Sequence, residues 1–324
     1  MKIAVTGGAG YIGSHFVREL LDTGFEVTVI DNLERGHRES VPANAAFINE
    51  NISNYKALLK LFIDNKFDAI VHFAAFAYVG ESVENPGMYY ENNVTGSINL
   101  IKAASEAGVK KFVFSSTCSL YGNPEIIPIT EKESIKPINP YAKTKHMIEN
   151  VLQDFERSSG LNYVALRYFN AAGAHKSGEI GESHDPEPHL IPLVLQAALG
   201  KREKILIFGD DYSTPDGTCI RDYIHVTDLA KAHILALEYL DKGNTSTIIN
   251  LGTGSGYSVK ELIDVAEKVT GEKINQEIAP RREGDPAVLV ADNSYAKATL
   301  GWQPEYDLEG IISTAWKWHK NPKY

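Results

Sequence analysis

The chain has 324 residues, 43% apolar and 23% charged, with 32 basic against 42 acidic side chains and a net charge of −10. That length can bury the core of one large α/β domain with a smaller appended lobe. No Lys/Arg run exceeds two residues, so nothing provides a nucleic-acid footprint, although a few arginines and a helix N-terminus suffice for a diphosphate.

Two cysteines, Cys118 and Cys219, give neither a disulfide framework nor a metal spacing. The opening Met1–Val5 is too short for a signal peptide, and no stretch approaches ~20 apolar residues. A cytoplasmic location with no membrane partner is therefore expected.

In chain order, short apolar runs predict strands at Lys2–Thr6, Glu26–Asp31, Phe47–Asn49, Ala69–Ala74, Lys111–Ser116 and Tyr163–Tyr168. Helical patterns fall between them at Tyr11–Asp22, Asn54–Asp64, Met88–Ala107 and Tyr141–Ser158. Alternation of this kind implies right-handed crossovers and an α/β fold with a Rossmann-type doubly wound parallel sheet. After Asn170 the texture changes. Ala171–His189 and Gly209–Gly217 read as irregular, and regular patterns return at Ile220–Leu240, Ile248–Leu251 and Val259–Val269. The expected division is a dinucleotide-binding domain of residues 1–169 plus roughly 220–250, with a smaller α/β substrate-binding lobe from roughly 170–219 and 251–324. The lobe's loops would close over the carboxyl ends of the strands, where ligands of open α/β sheets bind.

Gly7-Gly8-Ala9-Gly10-Tyr11-Ile12-Gly13 follows a strand and opens a helix, which is the setting in which glycines let a backbone approach a pyrophosphate. The second strand ends at Asp31, eighteen residues past Gly13, where a carboxylate accepts from a ribose diol and repels a 2′-phosphate. NAD is therefore expected over NADP, even though Arg35 lies nearby.

Tyr141 and Lys145 lie one helical turn apart, directly after Asn139-Pro140, a helix start. An ammonium beside a phenol favours the phenolate and lets it act as a base on a hydroxyl. With 16 tyrosines in the chain, about one such spacing arises by chance. This pair nevertheless is the only one, and it follows a strand that runs into Ser115-Ser116-Thr117. Thr117 is the candidate for holding the reacting oxygen; loop capping is its alternative role.

These elements together resemble the extended short-chain dehydrogenase/reductase family, and within it the UDP-hexose 4-epimerases. The resemblance runs nearly end to end, through Gly7–His15, Asp31–Leu33, Val79–Ser82, Tyr89–Val94, Phe114–Thr117, Tyr121-Gly122, Tyr141–Lys145 and Leu166–His175. Its narrowest motifs are Pro188-His-Leu-Ile-Pro192, Phe208–Tyr212 with Asp216–His225, and Pro280-Arg-Arg-Glu-Gly-Asp285.

The resemblance implies reversible inversion at C4 of UDP-glucose and UDP-galactose through a transient 4-keto sugar, with tightly bound NAD and a homodimer. It assigns catalysis to Tyr141, Lys145 and Thr117. It assigns cofactor contacts to Gly7, Gly10, Tyr11, Ile12, Gly13, Asp31, Asn32, Asn51, Ile52, Phe73, Ala74, Ala75, Asn92, Ser115, Tyr141, Lys145 and Phe169. Substrate contacts fall on Thr117, Tyr141, Asn170, His189, Leu190, Phe208, Arg221, Arg282 and Asp285, the two arginines as diphosphate clamps. The chain departs from many members at Asn51, where they have aspartate, and at Ala77, where some have a lysine. It also departs at His189, which is asparagine in some, and at Leu289, which bears on N-acetylated sugars.

A 4,6-dehydratase shares the NAD site but needs carboxylates after the strand-end threonine, and here Cys118 and Ser119 follow. A UDP-GlcNAc/GalNAc or UDP-glucuronate 4-epimerase is an alternative, as is a non-catalytic NAD-binding module, although such modules can discard the tyrosine or lysine retained here. His184, Asp185, Glu187 and His189 resemble metal ligands by type. The intervening prolines and the absence of a helical register favour a loop near the substrate instead, and no metal is expected.

Overall fold

The computed structural model describes residues 1–282 and 285–324. Its strands are β1 (Lys2–Thr6), β2 (Glu26–Asp31), β3 (Ala46–Asn49), β4 (Ala69–His72), β5 (Lys111–Thr117), β6 (Asn162–Tyr168), β7 (Asn170–Ala172), β8 (Ile205–Phe208), β9 (Ile220–Arg221), β10 (Tyr223–His225), β11 (Thr247–Leu251), β12 (Tyr257–Ser258), β13 (Gln276–Ala279) and β14 (Val288–Leu289). The helices are α1 (Tyr11–Asp22), α2 (Tyr55–Asn65), α3 (Val79–Glu84), α4 (Pro86–Tyr89), α5 (Ser97–Glu106), α6 (Pro140–Ser159), α7 (Leu190–Ala198), α8 (Val226–Asp241), α9 (Val259–Thr270), α10 (Ser294–Leu300) and α11 (Leu308–Lys320).

Seven strands form one parallel sheet in the order β11-β6-β5-β4-β1-β2-β3. Its central strands are apolar almost throughout because helices cover both faces. On one face Ile3, Val5, Val29 and Val71 pack against Phe16, Val17 and Leu20 of α1 and Leu229, Leu237 and Leu240 of α8. On the other, Ala4, Ile70, Phe112 and Phe114 meet Leu58 and Phe62 of α2, Leu100 and Ile101 of α5, and Ile148 and Leu152 of α6. The strand order reverses direction at β1 and β4, a topological switch point that opens a crevice at the strands' carboxyl ends.

A separate core joins Ile191, Val194 and Leu195 of α7 to Leu262 and Ile263 of α9 and Ile311 and Ile312 of α11. Ala296 of α10 and Trp302, although late in the chain, belong to the first core.

The expected Met88–Ala107 helix is broken. It runs as α4, then a π-helical stretch Tyr90–Gly96, then α5. The wide turn goes with inward polar anchoring. Asn93 is buried; its Oδ1 accepts from the Phe76 N–H at 2.8 Å, and its Nδ2 donates to the Phe76 carbonyl at 2.9 Å. Pattern reading of apolar spacing has no signal for a π-turn.

Candidate active site

The glycine turn between β1 and α1 is sterically obligatory at two positions. Gly7 has φ of 72°, and a Cβ there would lie 2.4 Å from the Ala74 nitrogen. A Cβ on Gly13 would lie 2.2 Å from the Gly7 carbonyl oxygen. Gly10 is the N-cap of α1, so the helix presents unpaired amides and its positive end to the crevice.

That crevice is lined by Gly7, Gly10, Asp31, Asn32, Asn51, Ile52, Phe73, Ala74, Ala75 and Asn92, all expected from sequence. Glu34, Arg35, Gly36, Glu50 and Phe76 line it as well. Asp31 is 8% exposed, and its carboxylate accepts from Ala9 N at 3.0 Å and Leu33 N at 2.8 Å. Burial raises its pKa, while those two amides act in the opposite sense. Arg35 is engaged elsewhere. It donates to Glu81 at 2.6 Å and lies over the rings of Phe76 and Tyr78.

Asn139 starts α6 by accepting from Ala142 N at 2.8 Å, with Pro140 in its first turn. This start brings Tyr141 and Lys145, both buried, against the end of β5. Lys145 Nζ donates to the Ser115 carbonyl at 2.7 Å and lies 5.9 Å from the centre of the Tyr141 ring. Thr117 is near enough to the Tyr141 phenol to oppose the effect of burial on it. Its hydroxyl caps the short turn Cys118–Tyr121 by accepting from Ser119 N at 3.2 Å, which is the loop-capping role.

Burial pushes the Tyr141 phenol well above its ordinary range and pulls Lys145 down to about 7. Glu149, one turn further along α6, acts against the lysine shift. Each charge is disfavoured alone, whereas a phenolate and an ammonium formed side by side compensate each other.

Glu149 is a residue that the sequence reading did not single out. Its carboxylate accepts from Ser116 Oγ at 2.6 Å and from Arg167 Nε and Nη2 at 2.9 and 2.6 Å. Arg167 continues to Tyr121 Oη at 3.0 Å, and Tyr121 donates to Asn250 at 2.6 Å. This buried network locks α6 to β5 two turns beyond Tyr141. The Glu four residues after Lys145 was the available signal. Ser115 pairs its hydroxyl with Tyr168, and Phe169 packs with Cys118 and Tyr121 beneath the same strand end.

The expected substrate residues assemble in groups. Arg282 lies over the Phe208 ring at 4.1 Å. Arg221 Nη2 lies 3.6 Å from Asp285, and Asn170 Nδ2 donates to the Asp222 carbonyl at 3.0 Å. Arg221 is near enough to Cys118 to oppose the effect of burial, which pushes that thiol up to about 12. Leu190 begins α7. His189 is half-exposed, and its Nδ1 is in contact with Glu182 of the preceding loop. Ala77 is exposed.

A parallel sheet with an obligate glycine turn, a strand-end carboxylate and a buried tyrosine–lysine pair defines a Rossmann-type, dinucleotide-dependent enzyme. Residues 3–252 match the NAD dependent epimerase/dehydratase family, and the chain belongs to that family. It is 54% identical to the UDP-glucose 4-epimerase of Halalkalibacterium halodurans over 99% of this chain and 96% of that protein. Among solved structures, Brucella ovis UDP-glucose 4-epimerase in complex with NAD is 46% identical, with a TM-score of 0.94 over 97% of this chain and 96% of that one. Bifidobacterium longum UDP-glucose 4-epimerase, in complex with NAD+ and UDP, is 38% identical with a TM-score of 0.93 over 99% of each chain.

Proposed function

We propose that this chain is an isomerase that interconverts UDP-glucose and UDP-galactose, inverting C4 through a 4-keto sugar while NAD stays bound. The observation that supports the reading is the buried trio of Thr117 at the end of β5, Tyr141 beside it and Lys145 one turn away, its Nζ donating to the Ser115 carbonyl at 2.7 Å, in the sheet that bears the glycine turn. The cofactor's fit rests on this chain's own backbone. Gly7 and Gly13 leave room that no other residue would leave, and Asp31 ends the second strand beside them.

Gly7, Gly10 and the first turn of α1 would hold the pyrophosphate, Asp31 the adenosine ribose, and Lys145 the ribose next to Tyr141. Bound NAD would supply the hydride acceptor and donor for C4 and add positive charge beside the phenol. Tyr141 takes the proton from the 4-hydroxyl while Thr117 holds that oxygen. After the keto sugar turns about its diphosphate, so that C4 presents its other face to the cofactor's side of the site, Tyr141 returns the proton to the 4-oxygen. Arg221 and Arg282 grip the diphosphate by guanidinium forks, which keeps the sugar tethered as it turns. Asn170, Leu190 and Phe208 border the uridine, and Asp285 its ribose.

We further propose a division into residues 1–169 with roughly 220–250 holding NAD and the remainder holding the nucleotide sugar, a reading that the first and the separate core support in the main. Ala296 and Trp302 depart from it by packing on the NAD side, and Tyr223 by packing in the other core. We also propose a homodimer through the outer faces of α6 and residues 88–107; Met147 on α6 is 42% exposed, and Val83 on neighbouring α3 is 61% exposed. The unpaired Cys118 and Cys219 fit a cytoplasmic, reducing location. Among the described residues, no helix is long and apolar enough to cross a membrane.

The deciding experiment is incubation of the purified chain with UDP-galactose and no added NAD, followed by separation of the sugar nucleotides. UDP-glucose should appear. No conversion, even with NAD supplied, overturns the proposal.

A further inference from the structure

Within eight residues, the loop between β7 and α7 brings together two of its carboxylates and two imidazoles: Glu182, His184, Glu187 and His189. It doubles back on itself, so one ligand atom from each lies within 4.8 Å of all the others. His184 Nδ1 is 3.2 Å from Glu182 Oε1 and 3.5 Å from Glu187 Oε1. His189 Nδ1 is 3.5 Å from Glu187 Oε1 and in contact with Glu182 Oε1.

Nitrogen and oxygen ligands bind zinc at about 2.0–2.2 Å, and a tetrahedron of such bonds has edges of roughly 3.3–3.6 Å. Three of the four nitrogen–oxygen separations are close to this. The fourth, Glu182 to His189, would open by less than a bond length.

Two further observations point to a ligand. His184 Nδ1 is buried without a hydrogen-bond partner, although Glu182 and Glu187 lie 3.2 and 3.5 Å from it. The Glu182 and Glu187 side chains are 3% and 6% exposed, and among the described residues no lysine or arginine reaches either. Buried carboxylates need cationic partners. Two imidazolium protons would serve, and one divalent ion carries the same charge while satisfying all four groups.

We propose that Glu182, His184, Glu187 and His189 form a structural zinc site. The proposal reverses the expectation drawn from spacing alone, because a folded-back loop gathers ligands without any helical register. It does not depend on the sugar-nucleotide reading. Two imidazoles with two carboxylates in a near-tetrahedral set suit zinc, and four protein ligands leave no open position for catalysis.

The site's place in the fold gives it a task. His189 is the N-cap of α7, Glu182 holds Trp318 through its carbonyl at 2.7 Å, and Tyr11 of α1 and Tyr78 meet the His184 ring edge-on. An ion here would pin the start of α7 against the NAD-binding side.

The full chain, stripped with chelator, would be incubated with zinc sulfate, freed of unbound metal and assayed by elemental analysis and thermal melting. Retention of about one zinc per chain with a raised Tm is expected, and cobalt in its place should give the intense visible bands of a four-coordinate ion. His184→Asn and Glu187→Gln should each lose the retained metal and the Tm response. The cobalt spectrum of the unaltered chain keeps the test open should either variant fail to fold. No metal retained by the unaltered chain, a six-coordinate cobalt spectrum, or equal retention by folded variants would overturn the site.

Discussion

A side chain on Gly13 would bring its Cβ to 2.2 Å from the carbonyl oxygen of Gly7, six residues earlier and across the turn. Both atoms are fixed by backbone, so no rotamer relieves the contact. Gly13→Ala should therefore weaken NAD binding by at least about tenfold. Gly87→Ala, where a Cβ meets nothing within 4 Å, should leave it unchanged. Cofactor titration of both purified variants checks this, and equal affinities would refute it.

Tyr141→Phe removes only the phenolic oxygen from a packed ring. Turnover of UDP-galactose should fall by about 10²–10⁴-fold, with UDP affinity nearly unaltered. Single-turnover kinetics and UDP titration provide the two readouts; a near-parental rate would eliminate Tyr141 as the base.

The Arg167 and Glu149 side chains are 6% and 2% exposed, so removing one strands the other's charge in the core. Arg167→Met should cost about 3–5 kcal/mol in urea unfolding, and much of that should return in the Arg167→Met/Glu149→Leu double variant. Additive losses would show that the pair is not coupled.

Lys145 offers a test by pH. Burial pulls its pKa down from 10.5 to about 7. Between those values the unfolded chain holds a proton that the folded chain lacks, so this group's contribution makes stability rise with pH across that window. Below about 7 both forms are protonated and the cost of a buried ammonium is present in full. Lys145→Met removes this dependence. Its stability relative to the unaltered chain should be greatest near about pH 6 and decline toward about pH 10. Urea midpoints at both ends of the range decide; a constant difference would contradict the shift.

The glycine turn, Asp31 and the Tyr141–Lys145 pair were legible because each is local. A strand, a turn and a helix start fix the backbone within a few residues, and the side-chain type then carries the chemistry. Arg35 shows where locality ends. Its position after Asp31 left a 2′-phosphate partner open, and only Glu81, 46 residues on, together with two aromatic rings, shows that it is engaged. The π-turn at Tyr90–Gly96 and the Glu149–Arg167–Tyr121–Asn250 chain were illegible for the same reason, since their partners are distant in sequence. His189 adds a partner that its family position did not indicate, since two loop acids, Glu182 and Glu187, lie beside its ring.

The chain leaves the large sheet after β6, builds much of the second core, and returns to place β11 against β6 as the outermost strand. A nascent chain therefore exposes β6 as an apolar border until Thr247–Leu251 has been synthesised, and a fragment cut short of that point would keep it exposed. Such a border recruits strands from other molecules. Truncation between the two cores should yield aggregates, not a minimal NAD-binding module.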